Sequence, residues 1–219
     1  MTNKPPKRVP IYFDAEFTGL HRNTQLISIG MYSPLSGAYL YAEFNDFDDS
    51  DLDDWLKEHV IGNLWWNDQQ EYSHIHELWN YGEKGHKCPM IKGDSASIKS
   101  HILEWLKQES VIYHDRKIQF YADCYAYDWM LLNDLLCDDG KALNLPEFID
   151  YIPMDLSTAM QMADVDPDMN REEFVGPEML ERIKSADPFT SIDGADIKHN
   201  SLWDAVIAYA CFSRLTGNA

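Results

Sequence analysis

The chain alternates between two periodicities, and the order of the switches predicts its elements. Residues 11 to 17 (Ile11-Tyr12-Phe13-Asp14-Ala15-Glu16-Phe17) form a short, largely apolar strand that carries two acids near its end. Gln25 to Ser33 and Ala38 to Phe44 read as two more strands, and Pro34-Leu35-Ser36-Gly37 between them has the composition of a turn. Short connections make these three strands an antiparallel meander. Residues 55 to 66 place Trp55, Leu56, Val60, Ile61, Leu64 and Trp65 at helical spacing, and Ser97 to Glu109 aligns Ile98, Ile102, Trp105 and Leu106 on one stripe. A strand over 117 to 122 follows, then a helix over 127 to 137, a strand over 149 to 154 and a helix over 155 to 163. A helix over Pro177 to Lys184 is the one clear element in the acidic stretch 163 to 198. The last helix, Ser201 to Leu215, repeats Leu202, Ala205, Val206, Tyr209 and Phe212 at intervals of three and four. The order is that of an α/β fold. A strand at 118 to 122 reached through a helix should lie parallel to a neighbour by a right-handed crossover.

On a strand, side chains two apart share a face, so Asp14 and Glu16 project together while Phe13 and Ala15 point the other way. Two adjacent carboxylates repel unless a cation lies between them, so the pair is a candidate site for a hard divalent ion; a solvated acidic strand face is the alternative. Asp128 stands at the start of the helix after strand 118–122. If that strand runs parallel to the first, both carboxyl ends meet at one sheet edge, the usual place for a site in an open α/β sheet. An acid in a first helical turn also has a plain reason to be there, the helix dipole. Asp204 has one too, because Ser201 and Asp204 show the spacing of a capping box. His199 and Asp204 would sit about 140° apart on one regular helix. His199 is therefore expected in the approach to that helix, folded over the same pocket.

Three segments in order, Asp14-Ala15-Glu16-Phe17-Thr18-Gly19-Leu20, Asp123-Cys124-Tyr125-Ala126-Tyr127-Asp128 and His199-Asn200-Ser201-Leu202-Trp203-Asp204-Ala205, resemble the motifs of the DEDDh 3′-5′ exonucleases, members of the ribonuclease H-like superfold. The resemblance covers Pro10 to Leu215, and the run Phe47 to Leu64 is similar to the small stand-alone exoribonuclease branch of bacteria and phages. It implies a mixed five-stranded sheet, three antiparallel strands and then parallel ones, flanked by helices, in a single domain over 10–219 behind a tail of residues 1–9. It further implies that Asp14, Glu16, Asp128 and Asp204 hold two Mg²⁺ or Mn²⁺ ions, that His199 deprotonates the attacking water, and that Phe17, Thr18, Gly19 and Leu20 position the 3′-terminal nucleotide. RNA is favoured over DNA by branch alone, and a homodimer is expected by the same resemblance. Asp123 departs from the frequent Asn of the second motif. It either supports the site from behind or competes with Asp128, and the spacing favours Asp128 as the acid nearer the metal. Phe17 and Leu20 could equally be core residues.

Composition narrows the partners. At 219 residues, with 45% hydrophobic content, seven Trp and twelve Tyr, the chain has material for a substantial core. No uninterrupted apolar run is long enough to span a bilayer and the first eight residues lack a signal-peptide core, so a cytoplasmic protein away from membranes is expected. Cys88, Cys124, Cys137 and Cys211 lack paired spacing, which argues against a disulfide framework or a zinc ribbon, and His74, His76 and His86 do not complete a zinc set with Cys88. The formal charge of -19 repels long polyanions. A nucleic-acid substrate would therefore be held locally, at an end, with metal ions offsetting the phosphate. The six aspartates within 45–54 lack the central Gly and closing Glu of an EF-hand and read as a solvated loop capping the next helix. Two rivals from other classes stay open: a catalytically silent interaction module of the same fold, and a calcium-binding or acidic protein-interaction protein built on the 46–54 aspartates.

Overall fold

The computed structural model describes residues 7–65, 80–81, 86–87, 89–123, 125–137, 144–186, 188–189 and 198–217. The three predicted strands form as β1 (Val9–Phe17), β2 (Leu26–Ser33) and β3 (Ala38–Phe44), paired antiparallel in the order 1-2-3. The two-residue strands β4 (Asn80–Tyr81) and β5 (His86–Lys87) pair with each other, and β6 (Met90–Gly93) adds to the free edge of β3 in parallel. On the other side β7 (Ile118–Ala122) lies parallel to β1, and β8 (Met154–Asp155) parallel to β7. The sheet is therefore mixed and six-stranded, in the order β6-β3-β2-β1-β7-β8, where five strands were expected. The strand missed is β6. Four residues following Pro89 and ending in Lys92-Gly93 show too little alternation to stand out. The strand expected over 149–154 shrinks to a bridge between Ile118 and Ile149 and the short β8, because Pro153 offers no N–H to a ladder.

Strand alternation divides the core into two layers. Ile11, Phe13 and Ala15 face one side with Ile29, Met31, Leu40 and Phe120. They are covered by α2 (Ser95–Ile112), through Ile98, Ile102, Trp105 and Leu106, and by α3 (Asp128–Leu136), through Trp129, Leu132 and Leu136. Tyr12, Tyr41, Leu202, Trp203, Val206 and Phe212 fill the opposite side. There α7 (Ser201–Leu215) crosses the sheet, with α4 (Leu156–Met162), α5 (Arg171–Val175) and α6 (Pro177–Lys184) packed beside or next to it. Eleven of the fifteen residues of α7 are buried, so the helix is enclosed almost all round rather than laid on the surface.

Helix ends explain the remaining departures. α1 (Asp54–His59), capped by the Asp53 carboxylate accepting from Leu56 N–H at 2.7 Å, stops short of the twelve residues predicted. The Asn63 side-chain amide donates to the His59 carbonyl at 2.7 Å, satisfying an end that the helix would otherwise extend to cover, and a 3₁₀ turn over Ile61–Asn63 follows. The acidic loop behaves as a capping loop: Asp48 caps the 3₁₀ turn Asp49–Asp51, and Asp46 accepts from the N–H and hydroxyl of Ser95. Among the described residues no helix is long and apolar enough to cross a membrane. His74, His76, Cys88 and Trp66 lie outside the described residues.

The start of α7 is pressed onto β2 at Gly30. A Cβ built there would sit 2.2 Å from the backbone nitrogen of Leu202 and 2.3 Å from its Cα, inside contact distance of main chain that has no rotamer to change. Next to it, buried Ser28 and Ser201 share a hydroxyl hydrogen bond of 3.0 Å. Gly30→Ala is expected to lift the helix from the sheet and to cost at least the about 1–3 kcal/mol typical of overpacking, read as a lowered urea midpoint. Ser28→Ala, which leaves the space open, should cost about 1 kcal/mol. Equal stability of Gly30→Ala and wild type would mean that this contact does not set the position of the helix.

Candidate active site

Because β1 and β7 run parallel, their carboxyl ends reach the same sheet edge, and the acids of both arrive there. Asp14 and Glu16 lie on the α7 side of β1, opposite Gly30 and Ser28 of β2. Phe17 pairs with Leu26 after Glu16 pairs with Ser28, so β2 carries one extra residue, Ile27, at a bulge. The bulge sends Ile27 into a separate apolar cluster with Leu52, Leu56 and Val60 and leaves Glu16 on the site face. Asp128 opens α3 and is buried, facing the backbone N–H of Ala15.

The third group comes from α7. Asn200, not Ser201, is the N-cap: its side-chain oxygen accepts from Leu202 N–H at 3.2 Å and Trp203 N–H at 3.3 Å. The expected capping box is therefore absent. Ser201 is the first helical residue, and Asp204, one turn in, is released from capping and takes the backbone N–H of His199 instead. His199 precedes the helix, as expected, with a left-handed φ of 61°. That conformation is uncommon for a residue with a side chain and is maintained by its surroundings. The His199 ring meets Trp55 edge-on at 5.2 Å, and Trp55 stacks on His59 at 4.9 Å.

One ligand atom each from Glu16, His199 and Asp204 lies within 4.8 Å of the others, close enough to share a metal ion. Asp14 completes the group electrostatically. Burial, followed by the charges of Asp128, Asp204, Glu16 and Asp123, holds its carboxyl well above the ordinary carboxylate range. Burial also pushes Glu16 up to about 9, reinforced by Asp204 and Asp128. Asp128 rises to about 8 by burial, against the pull of the Ala15 N–H. Asp204 rises to about 7, by burial and then by Glu172, partly offset by the His199 N–H and by Lys198. Four carboxyls that resist ionisation together, with an imidazole among them, form the oxygen-rich donor set that suits a hard divalent cation.

The residues expected to hold a nucleotide form a rim. Phe17 stacks on Tyr127 at 5.5 Å, and Leu20 is 76% exposed, which excludes a core role for it. Thr18 is buried and braces the turn: its N–H donates to the Gln25 carbonyl at 2.9 Å and its hydroxyl accepts from Gln25 N–H at 3.1 Å. Gly19 has a φ of 145°, which a side chain rarely tolerates. Trp65 is not at the rim; it packs on Tyr41 at 4.5 Å and its N–H donates to Glu43 Oε1. Sequence reasoning missed Arg171 and Glu172, on the five-residue α5. Glu172 accepts from the Trp203 indole at 2.9 Å beside Asp204. A helix of five residues is too short to show a period, and no motif marks it.

In the unfolded chain these acids lose their protons near pH 4, whereas in the folded, metal-free chain Asp204, Asp128 and Glu16 keep theirs to about 7, 8 and 9. Between those limits the folded state binds more protons, so stability falls as pH rises. The melting temperature of metal-free protein is expected to be lower at about pH 8.5 than at about pH 5.5, and Mg²⁺ or Mn²⁺ should raise it mainly at the higher pH. Glu16→Gln with Asp204→Asn should flatten both responses. A melting temperature at the higher pH that ignores divalent ions would rule out a cation site here. No protein-family model matches the sequence, and no curated protein does.

Proposed function

We propose that the protein is a metal-dependent 3′-5′ exonuclease of the DEDDh type on a ribonuclease H-like sheet, most suited to the 3′ ends of single-stranded or overhanging RNA. The observation that carries this reading is the convergence of Glu16, His199 and Asp204 within 4.8 Å, drawn from β1 and from the start of α7, at the edge that also holds the half-buried Asp14 and the buried Asp128. A non-catalytic module has no use for four carboxyls whose burial works against their ionisation, and in the 45–54 loop Asp46, Asp48 and Asp53 are engaged by backbone N–H groups at helix starts.

In this reading Asp14, Glu16, Asp128 and Asp204 hold two Mg²⁺ or Mn²⁺ ions. Such ions, when bound, lower the pKa of a water and offset charge at the scissile phosphate and the leaving oxygen. His199 would accept the proton of the attacking water, a general-base role for which an imidazole is commonly used. Its backbone placement ahead of α7, with the Trp55 ring against its edge, fixes the direction of the imidazole. Leu20 and the stacked Phe17 and Tyr127 supply an apolar rim against which terminal bases pack without regard to sequence. The net charge of -19 favours short or end-bound strands over long duplexes. A homodimer accompanies this reading, and DNA is the competing substrate.

The test is a paired digestion of 5′-labelled single-stranded RNA, single-stranded DNA and a 3′-overhang duplex with Mg²⁺ and with Mn²⁺. A ladder of 3′-shortened products and released mononucleotides is expected, stronger on RNA. Asp14→Ala should abolish it. His199→Ala should lower the rate by about 10²–10⁴ while Mn²⁺ binding persists. Activity that survives a chelator or Asp14→Ala overturns the metal assignment, and a released 5′ label as first product overturns the polarity.

A further inference from the structure

A fifth acid stands beside the site and is answered by a cation from elsewhere in the chain. Asp123 follows β7, and its charge acts on Asp14, Asp128 and Asp204. Arg171, 48 residues away, grips it with both arms of the guanidinium: Nε to Oδ2 at 2.6 Å and Nη2 to Oδ1 at 2.8 Å. Ser157 at the start of α4 closes the arrangement, donating to Asp123 Oδ1 at 3.1 Å and accepting from Arg171 Nη2 at 2.9 Å, while Arg171 Nη1 donates to the Met169 carbonyl at 2.6 Å. The pair is partly shielded, with the Arg171 side chain 19% and the Asp123 side chain 27% exposed.

We infer that Arg171 is a positioning residue that withdraws Asp123 from the acid cluster, so that the cation-holding set stays at Asp14, Glu16, Asp128 and Asp204. A fork of two parallel N–H···O bonds consumes both oxygens of a carboxylate and fixes its plane, which a point charge does not do. Held this way, Asp123 has both carboxylate oxygens engaged by Arg171, and its charge on the cluster is offset in part by the guanidinium. The same fork ties the loop leading to Asp128 to α5, whose next residue, Glu172, bonds Trp203 in the turn that carries Asp204. One short helix thus braces both flanks of the site. Without Arg171 the freed carboxylate adds a negative charge to the cluster and competes for the ion.

The effect on catalysis rests on the nuclease reading; the effects on metal-free stability and on Mn²⁺ binding do not. Arg171→Ala is expected to lower the melting temperature of metal-free protein and to enlarge the rise that Mn²⁺ produces. It should cut kcat about tenfold with KM little changed. Asp123→Asn placed in the Arg171→Ala background removes the stray charge and should restore the metal-free melting temperature, the size of the Mn²⁺ response and most of kcat. Arg171→Lys, which keeps the charge without the fork, should fall between the two and serves if the alanine variant does not fold. A double variant no better than Arg171→Ala in melting and Mn²⁺ response would make Arg171 a simple brace and overturn the inference, as would an Arg171→Ala protein that matches wild type. If wild type shows no nuclease activity but the double variant still rescues melting, the nuclease reading fails and this one stands.

Discussion

Burying like charges at the edge of a sheet is the constraint to which the rest of the molecule answers. Carboxylates lose much of their hydration at this position, and each raises the cost of ionising the next. A fold left to minimise its own energy would scatter such groups or give each a basic partner. Here Asp123 is gripped by Arg171, whereas Asp204 has only the partial offset of Lys198.

The scaffold around them is stiff where the acids are attached. Asp14 and Glu16 sit on β1 just past the residues that pair with β7, and are held in register by Gly30 and Ser28 of β2. Asp204 rides on a helix set against main chain at Gly30, and Asp128 on the first turn of a helix anchored by Trp129 and Leu132. None hangs from a long loop. A cluster built this way changes its separation only if a helix moves bodily, and close-packed interiors resist that. The rim differs in character, with Leu20 and Tyr127, and Trp55 beside His199, exposed enough to adjust to whatever lies across them.

The parts legible in the sequence share one property, a signal spread over several residues. Alternation in β1, β2 and β3 and the three-four spacing of α7 were readable, and with them the shared face of Asp14 and Glu16. The parallel placement of β7 followed from the helix before it, and that put Asp128 at the correct edge. What escaped had short or non-local causes. β6 is four residues and α5 five. The contact between Arg171 and Asp123 joins two positions with no pattern between them. The cap of α7 was misassigned because Asn200 and Ser201 are both good caps, and only the packing of Ser201 against Ser28 decides between them.

The distance along the chain between the two halves of the site has its own consequence. Asp14 and Glu16 are in the first strand, whereas His199 and Asp204 belong to the start of the last helix, so the site is assembled across nearly the whole fold. Contacts of such long sequence separation close after local ones, and domains emerge from synthesis amino end first. The first acids therefore exist in the growing chain well before their partners do. Until the final helix docks, Asp14 and Glu16 stand without His199 and Asp204, so the cluster itself is absent from the newly made, incompletely folded protein.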